Sequence, residues 1–263
     1  MNNSKSVPEQ QLESLVGVDP NQRRLGGVAR LFGEDGFAAL QKAHVLVVGL
    51  GGVGSWAAEA LARSAVGEIT LMDYDHISMS NVNRQLHAIE GDFGKSKVAA
   101  MADRLLAINP DLKVHQLDHF IKPDNVGQYV LPGMAVLDAT DDILSKVAMA
   151  VWCVRQNSAF VMSGAAGGKL DPTQISIDDL SKTTHDPILS KIRGILRKSY
   201  GFESDPKKRM RVRVVYSGES RISRSQGGLS CAGYGSTVTV TASFGFAAAA
   251  ELMNQIMRSH KSV

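Results

Sequence analysis

The six-residue segment GLGGVG, residues 49–54, constrains the fold of this chain more than any other feature of its sequence. It follows directly on an apolar run, His44 to Val48, that is typical of a buried strand, and it opens a stretch, Ser55 to Ser64, that is typical of a helix. The spacing G-x-G-x-x-G in this setting lets backbone N–H groups approach a phosphate closely. We therefore predict a nucleotide-binding turn whose glycines are Gly49, Gly51, Gly52 and Gly54.

The chain continues to alternate short apolar runs with longer helical stretches. Further strands are predicted at residues 68–72, 113–117, 135–137 and 160–162, and a helix at residues 95–108 is ended by Asn109-Pro110. This alternation is typical of a parallel sheet with crossover helices. We expect a single α/β domain over residues 1–263, Rossmann-like, with a mostly parallel sheet and helices on both faces.

Residues 171–224 interrupt this pattern because they are polar, basic and irregular, with one predicted helix near Pro187 to Tyr200. We expect them to form a basic irregular lobe inserted before the last strand and the C-terminal helix. The stretch from Val238 to Met253 alternates Val and Thr and then becomes Ala-rich, which predicts a buried strand followed by a helix. It is shorter than the roughly 20 apolar residues that cross a bilayer, so no membrane span is expected.

The positive charge of the chain is concentrated in the predicted lobe. Lys182 to Arg224 contains 12 Lys and Arg against 4 Asp and Glu, whereas the whole chain has a net charge of only +3. Such a region either contacts a polyanion such as RNA or forms a solvated basic loop. The densest cluster comprises Lys207, Lys208, Arg209, Arg211 and Arg213.

The spacing of cysteine and histidine residues indicates neither a disulfide framework nor a metal site. Cys153 and Cys231 lie far apart, and no metal-ligand spacing links His44, His76 and His87, which we expect to be structural. The N-terminal residues lack the features of an export signal. A reducing compartment, the cytoplasm, is the expected location.

Polar residues beyond the second predicted strand favour ATP over NAD. Asp73 ends that strand 19 residues after Gly54, where an acid that binds a ribose hydroxyl is expected. The following residues form a cluster that suits charge developing on a departing pyrophosphate and that hydride transfer does not require. Its members are Asn81, Arg84, Gln85 and Lys97.

A second polar loop, DATDD at residues 138–142, follows the strand predicted to end at Leu137. The carboxyl ends of parallel strands are where such sheets bind ligands. A carboxylate there can hold Mg²⁺, which keeps several waters and bridges phosphates. Asp141 is the candidate, with N-capping of the following helix as its alternative role.

These motifs, in this order and spacing, resemble the ATP-binding half of the ubiquitin-activating-enzyme superfamily and the bacterial adenylyltransferases related to it. The resemblance covers residues 44–166 and rests on GLGGVG, Asp73 and Asp75, SNVNRQ, GKSK and DATDD. It implies that Asp73 binds ribose, that Asn81, Arg84 and Lys97 contact phosphates, that Asp141 holds magnesium, and that the protein is a homodimer. The zinc-binding cysteine pairs of the sulfur-carrier activators are missing. Their R-Y-x-R-Q segment is also altered, leaving Arg24, with Arg30 in reserve, as the arginine acting across a dimer.

Other segments resemble one branch of that superfamily, the tRNA threonylcarbamoyladenosine dehydratases. They are RLGGVARLFG, PDNVGQY, DPTQISIDDLSKT and SFGF, and they extend the resemblance to nearly the full length. It implies Mg-ATP-dependent adenylylation of the threonyl carboxylate of a modified adenosine beside a tRNA anticodon, followed by attack of the carbamoyl group, release of AMP and ring closure. The basic cluster would then contact RNA.

Three other functions remain open from the sequence. The chain could adenylylate the C-terminus of a ubiquitin-like sulfur-carrier protein, hold ATP as a sensor without turnover, or act as an NAD-dependent oxidoreductase. Cys231 would be the nucleophile if a thiolate accepted the acyl group or a persulfide, although no base lies beside it in the sequence. That reading would add a sulfur-carrier or sulfur-acceptor protein as partner.

Overall fold

A computed structural model of the chain describes residues 20–220 and 235–260. The strands are β1 His44–Val48, β2 Glu68–Met72, β3 Lys113–Leu117, β4 Ala135–Asp138, β5 Phe160–Ser163, β6 Ile175–Asp179 and β7 Arg213–Ser217. The helices are α1 Pro20–Lys42, α2 Gly54–Arg63, α3 Lys97–Ile108, α4 Val126–Tyr129, α5 Ile143–Gln156, α6 Pro187–Tyr200 and α7 Val238–His260. Helix α1 is interrupted at Gly33, whose φ is 74°.

The seven strands form one sheet in the order β3-β2-β1-β4-β5-β7-β6, and every neighbouring pair is parallel except β6 with β7. Starting from β1 at the centre of the sheet, the chain adds β2 and β3 on one side. It then returns to the centre and adds β4 and the later strands on the other side of β1. A crevice therefore opens between the carboxyl ends of β1 and β4, which is where doubly wound sheets bind ligands. The GLGGVG and DATDD loops meet at this position.

Both faces of the sheet are covered by helices, as the apolar strands require. Along β1, Val45 and Val47 belong to the core packed under α2, α3 and α7, whereas Leu46 and Val48 belong to the core under α5 and α6. A strand buried on both faces reads as a continuous apolar run. The predicted α/β, Rossmann-like architecture is confirmed, and the five predicted strands are present with ends that agree to within one residue.

The predicted irregular lobe is wrong for much of its length. Residues 175–179 and 213–217 are β6 and β7, and β7 pairs with β5, so this segment completes the main sheet. Strand β7, RVVYS, is short and flanked by charged residues, so the polar average of the surrounding segment concealed it. Residues 221–224 of the predicted lobe lie outside the described residues.

The strand predicted from Val238 is also wrong, because α7 is one continuous helix. Val240, Phe244, Ala248 and Leu252 are fully buried at a spacing of four, which is the spacing of a helix face. The Ser243 hydroxyl donates a hydrogen bond at 2.7 Å to Thr239 O, one helical turn earlier, so this polar side chain is accommodated in the helix. The last strand of the described chain is therefore β7.

Among the described residues no helix has both the length and the apolarity needed to cross a bilayer.

Candidate active site

The loops that follow β1, β2, β4 and β5 surround a cleft of about 330 Å³ at the carboxyl edge of the sheet. The cleft brings together most of the residues singled out from the sequence: Gly49, Gly51, Gly52, Asp73, Asp75, Asn81, Arg84, Gln85, Lys97 and Asp141. Residues far apart in the sequence thus line one space that is open to solvent. Gly54, Arg24 and the basic cluster at residues 207–213 do not line it.

Two of the four glycines are required by the backbone itself. Gly49 has φ of 86°, and a Cβ there would lie 2.9 Å from the carbonyl carbon of Ala139 in the DATDD loop. A Cβ on Gly54 would lie 1.8 Å from Gly49 O. Glycine at both positions therefore lets the turn close and lets α2 start directly behind it. Gly54 supports the turn without lining the cleft.

The other two glycines face the cleft. A Cβ on Gly51 would meet no atom of the described residues within 4 Å, which leaves space there for a ligand. A Cβ on Gly52 would lie 3.0 Å from Cγ of Arg84. Glycine at position 52 therefore allows the Arg84 side chain to lie across the turn.

Asp73 ties the glycine turn to the end of β2. Its Oδ2 accepts a hydrogen bond from Leu50 N at 2.6 Å, and its Oδ1 accepts one from Asp75 N at 2.8 Å. Burial raises the pKa of Asp73, while the ammonium of Lys97, 3.8 Å from Oδ1, acts in the opposite direction. Lys97 also donates to Asp75 Oδ2 at 2.8 Å. The buried Lys97 is thus held at the cleft by two carboxylates.

The Asn81–Gln85 segment presents donors to the cleft. Nη1 of Arg84 donates to Ser80 O and to Asn83 Oδ1, each at 2.9 Å. The side-chain oxygen of Asn81 accepts from Ser78 N at 3.0 Å, and its NH₂ group has no partner among the described residues. The Trp56 indole fixes the main chain by donating to Arg84 O at 2.9 Å.

Gln85 is buried and its Oε1 lies 3.1 Å from Nε2 of His87. The other ring nitrogen of His87, Nδ1, is buried and has no hydrogen-bond partner among the described residues. Burial lowers the pKa of His87 to about 4, with a further contribution from Lys97. His87 is therefore uncharged near neutral pH and contacts the side chain of Gln85, which lines the cleft.

In the DATDD loop, helix capping and exposure to the cleft fall to two different aspartates. Asp142 is the N-cap of α5, because its Oδ2 accepts from Ser145 N at 2.7 Å. The alternative that Asp141 caps this helix is wrong by one residue. The Asp141 carboxylate is exposed at the cleft and has no hydrogen bond or ion pair with any described residue.

Lys146 lines the cleft and forms a buried ion pair with Asp138, and neither residue was assigned a role in the sequence analysis. Lys146, on α5, donates to Asp138 Oδ1 at 3.2 Å and to Ser163 O at 2.7 Å. Asp138 is fully buried; burial raises its pKa, and Lys146 opposes that shift. Its Oδ2 has no hydrogen-bond partner within the described chain. The signal available was a single lysine in the apolar helix ILSKVAMAV.

Arg24 and the basic cluster lie away from the cleft. Arg24 is exposed on α1, and Arg30 lies back over its own helix, with Nη1 3.5 Å from a Cβ placed on Gly26. Lys207, Lys208 and Arg209 are exposed just before β7. Because β7 runs parallel to β5, they lie at the amino edge of the sheet, opposite the cleft.

Three members of the basic cluster have protein partners. Nζ of Lys208 lies 3.6 Å from Oε2 of Glu203, in an ion pair that leaves the lysine exposed. Arg211 Nη2 donates to Asn157 Oδ1 at 2.7 Å. Arg213 donates to Glu251 at 2.9 Å and lies 3.8 Å from Asp178, so its charge is neutralised within the fold.

Cys231 lies outside the described residues. Cys153 is buried, and burial raises the pKa of its thiol to about 12, which makes it unreactive.

Comparison with known proteins assigns the chain to a family. The ThiF family model matches residues 23–262. A tRNA threonylcarbamoyladenosine dehydratase of Haemophilus influenzae is 41% identical over 253 residues, covering 93% of this chain and 97% of that protein. The crystal structure of E. coli tRNA N6-threonylcarbamoyladenosine dehydratase, TcdA, in complex with ATP has a TM-score of 0.87 at 41% identity, and the match covers 94% of this chain and 99% of that one.

An enzyme of another branch matches over a shorter length. The molybdopterin-synthase adenylyltransferase of E. coli is 34% identical over 139 residues, which cover 53% of this chain and 55% of that protein. The resemblance found in the sequence is confirmed. This chain belongs to the ThiF family and is similar over nearly its whole length to its tRNA threonylcarbamoyladenosine dehydratases.

Proposed function

We propose that this protein is an ATP-dependent enzyme that dehydrates threonylcarbamoyladenosine next to the anticodon of tRNA, by adenylylating the threonyl carboxylate. The observation that carries the proposal is similarity to dehydratases across 93% of the chain, against 53% for a molybdopterin-synthase adenylyltransferase. The longer match includes β6, α6, β7 and α7, so it extends beyond the shared ATP-binding half. Activation of a sulfur-carrier protein is therefore the less favoured function.

The cleft fits ATP through its own residues. The free space at Gly51 leaves room for a phosphate against the backbone, where Gly49, Gly52 and Gly54 shape the turn. Asp73 accepts from the ribose, with Asp75 beside it. Asn81, Arg84, Gln85 and Lys97 supply amides and two cations, which stabilise negative charge as pyrophosphate leaves. These groups are held in place before ATP arrives, so little reorganisation is needed.

Asp141 fits a magnesium ion because its carboxylate is exposed at the cleft and has no described protein partner. Oxygen ligands of this kind suit Mg²⁺, which keeps most of its waters and neutralises charge on the ATP phosphates when bound. Asp142 is already committed through Oδ2 to the cap of α5. Asp141 is therefore the proposed metal ligand.

The reaction needs no protein nucleophile. An oxygen of the threonyl carboxylate attacks the α-phosphorus of ATP, and pyrophosphate leaves. The carbamoyl group of the same nucleoside then attacks the acyl carbon, the bond to AMP breaks, and a ring closes. The oxygen lost from the nucleoside leaves in AMP. The protein positions the reactants and stabilises charge, with Arg84 and Lys97 at the phosphates.

Arg24 is proposed to complete the cleft of a partner subunit in a homodimer. It is exposed on α1 and cannot line the cleft of its own chain in this arrangement. An arginine supplied in trans would add a cation near the departing pyrophosphate. Arg30 is the reserve for this role.

The tRNA would be bound partly through the exposed cations Lys207, Lys208 and Arg209, with Arg211 at their margin. Contacts between such side chains and phosphates supply most of the sequence-independent affinity for RNA. Arg213 is excluded from this RNA-binding set, because its guanidinium is paired with Glu251 and Asp178. A tRNA substrate also supports a cytoplasmic location. A sulfur-carrier or sulfur-acceptor partner would follow only from the less favoured function.

The test is to incubate the protein with Mg-ATP and tRNA carrying threonylcarbamoyladenosine, then to digest the RNA and measure nucleoside masses. Loss of one water together with formation of AMP is expected. The matched control is the same tRNA without the threonylcarbamoyl group, which should release no AMP. Turnover only with a carrier protein ending in Gly-Gly would favour the alternative, and no AMP with either substrate would favour a nucleotide sensor.

A further inference from the structure

Three metal-ligating side chains meet on one face of the sheet, at the end opposite the ATP cleft. They are His44 on β1, Glu68 on β2 and His115 on β3, and the three strands are adjacent. His44 is in register with Glu68, and His115 with Thr70, which is two residues beyond Glu68. Residues two apart on a strand point to the same face. The sheet therefore brings together residues that no short sequence spacing connects.

The separations of the donor atoms suit one small cation. Nδ1 of His44 lies 3.5 Å from Oε1 of Glu68, and Nε2 of His115 lies 2.8 Å from the same oxygen. One ligand atom from each residue lies within 4.8 Å of the others. Tetrahedral zinc with bonds of about 2.0–2.1 Å holds its ligand atoms roughly 3.3 Å apart. The two separations from Glu68 Oε1, 3.5 and 2.8 Å, lie within about half an ångström of that value.

A supporting contact orients the first of these ligands. Nε2 of His44 lies 2.8 Å from Oγ1 of Thr70, a side chain that is almost completely buried. When that nitrogen carries the proton and donates to the hydroxyl, Nδ1 directs its lone pair toward Glu68. Metal-bound histidines are commonly held by such a bond from their other ring nitrogen.

We propose that His44, Glu68 and His115 form a binding site for a divalent transition-metal ion of the zinc class, with water in the fourth position. Two imidazoles and one carboxylate are a ligand set that zinc accepts. The site is distinct from the nucleotide cleft, since the five residues of β1 separate the two ends of the strand by about 13 Å. Bound metal would connect β3, the outermost strand on that side, to β2 and β1.

The test uses the full-length protein freed of metal, titrated with zinc in competition with a chromophoric chelator. Wild type is expected to bind zinc at least about tenfold more tightly than His115→Ala or Glu68→Gln, since even loss of a supporting group costs a metal site that much. Zinc should also raise the melting temperature of wild type more than that of either variant. His185→Asn is the matched control, because it removes an exposed histidine outside the site and must bind as wild type does.

The supporting contact gives an independent readout. Thr70→Val, which loses the hydroxyl, should weaken zinc binding by about tenfold, whereas Thr70→Ser should retain it. Zinc taken up by acids of the nucleotide cleft would be unaffected by any of these changes. Equal zinc affinity in wild type, His115→Ala and Glu68→Gln would overturn the proposal, as would no zinc-dependent stabilisation of wild type in excess zinc. Circular dichroism checks folding, and Glu68→Gln decides the matter if His115→Ala does not fold.

Discussion

Asp142 Oδ2 accepts a hydrogen bond from Ser145 N at 2.7 Å, so Asp142 caps helix α5 and leaves the preceding acid, Asp141, directed to solvent at the cleft. Two adjacent carboxylates thus have separate duties, one in the stability of the helix and one available to a ligand. The sequence could not distinguish them, because either position suits an N-cap. Substitution of each acid separates the two duties experimentally.

Asp141→Asn should lose catalytic activity without losing stability. An exposed carboxylate with no described partner contributes little to folding, whereas loss of a metal ligand should lower AMP formation by about 10²-fold or more. Asp142→Ala should show the reverse pattern, with a free energy of unfolding lower by about 1 kcal/mol because the cap is lost. AMP release and urea unfolding measure the two effects. Full activity in Asp141→Asn would refute the magnesium role.

Gly51→Ala should weaken ATP binding and leave the fold intact. The added methyl group meets no atom of the described chain within 4 Å and would occupy the space that we assign to phosphate. Loss of a hydrogen bond to a charged group costs about 1.5–3 kcal/mol, which corresponds to tenfold or more in affinity. Calorimetric titration with ATP measures the effect, and unchanged affinity would place the phosphates elsewhere.

Gly54→Ala is the matched control for that experiment. Its Cβ would lie 1.8 Å from Gly49 O, so the turn cannot accept it without moving. We expect a loss of stability of about 3 kcal/mol or more, at the upper end of overpacking effects.

His87 should make the protein sensitive to mild acid. Its pKa in the folded state is lowered to about 4 from 6.5. Between these two pH values the ring is therefore protonated in the unfolded chain and neutral in the folded chain. Stability contributed by the neutral ring is present above pH 6.5 and is lost as the pH falls toward 4. Linkage gives a loss of about 2 kcal/mol between about pH 7 and pH 5. Urea unfolding of His87→Gln should show a smaller loss over that range by about this amount; an identical pH dependence would contradict the assignment.

Arg24 and Asp141 should complement each other across a dimer. Arg24→Ala and Asp141→Asn are each expected to be nearly inactive alone. After unfolding and refolding as a mixture, a hybrid dimer contains one site with an intact Asp141 and an Arg24 from the other subunit. Activity should therefore reappear in the mixture, to at most one site per hybrid. If the mixture stays inactive although hybrids form, Arg24 does not act in trans.

The sequence predicted the central sheet and most of the cleft because their signals are local. GLGGVG, Asp73 and DATDD each follow an apolar strand, and the carboxyl ends of parallel strands necessarily meet. Strand β7 was missed, and the first part of helix α7 was predicted as a strand, for different reasons. Charged neighbours concealed the first, and alternating Val and Thr in α7 imitated a strand over the first helical turn.

Side-chain pairs formed by tertiary packing could not be predicted. Lys146 lies eight residues after Asp138, and their ion pair depends on how α5 packs against β4. The meeting of His44 with His115 depends on strand order and register, which only the folded sheet defines. The spacing of apolar residues predicts which face of its helix or strand a residue occupies. It does not predict which residue of another helix or strand will contact it there.

The most direct test of the proposed chemistry follows the oxygen that the nucleoside loses. Threonylcarbamoyladenosine with ¹⁸O in the threonyl carboxylate, carried in tRNA, is incubated with the protein and Mg-ATP, and the nucleotide products are analysed by mass spectrometry. Adenylylation of the carboxylate predicts AMP that carries one ¹⁸O, formed in equal amount to the dehydrated nucleoside. ADP with labelled phosphate, or unlabelled AMP beside a dehydrated nucleoside, would contradict an acyl-adenylate.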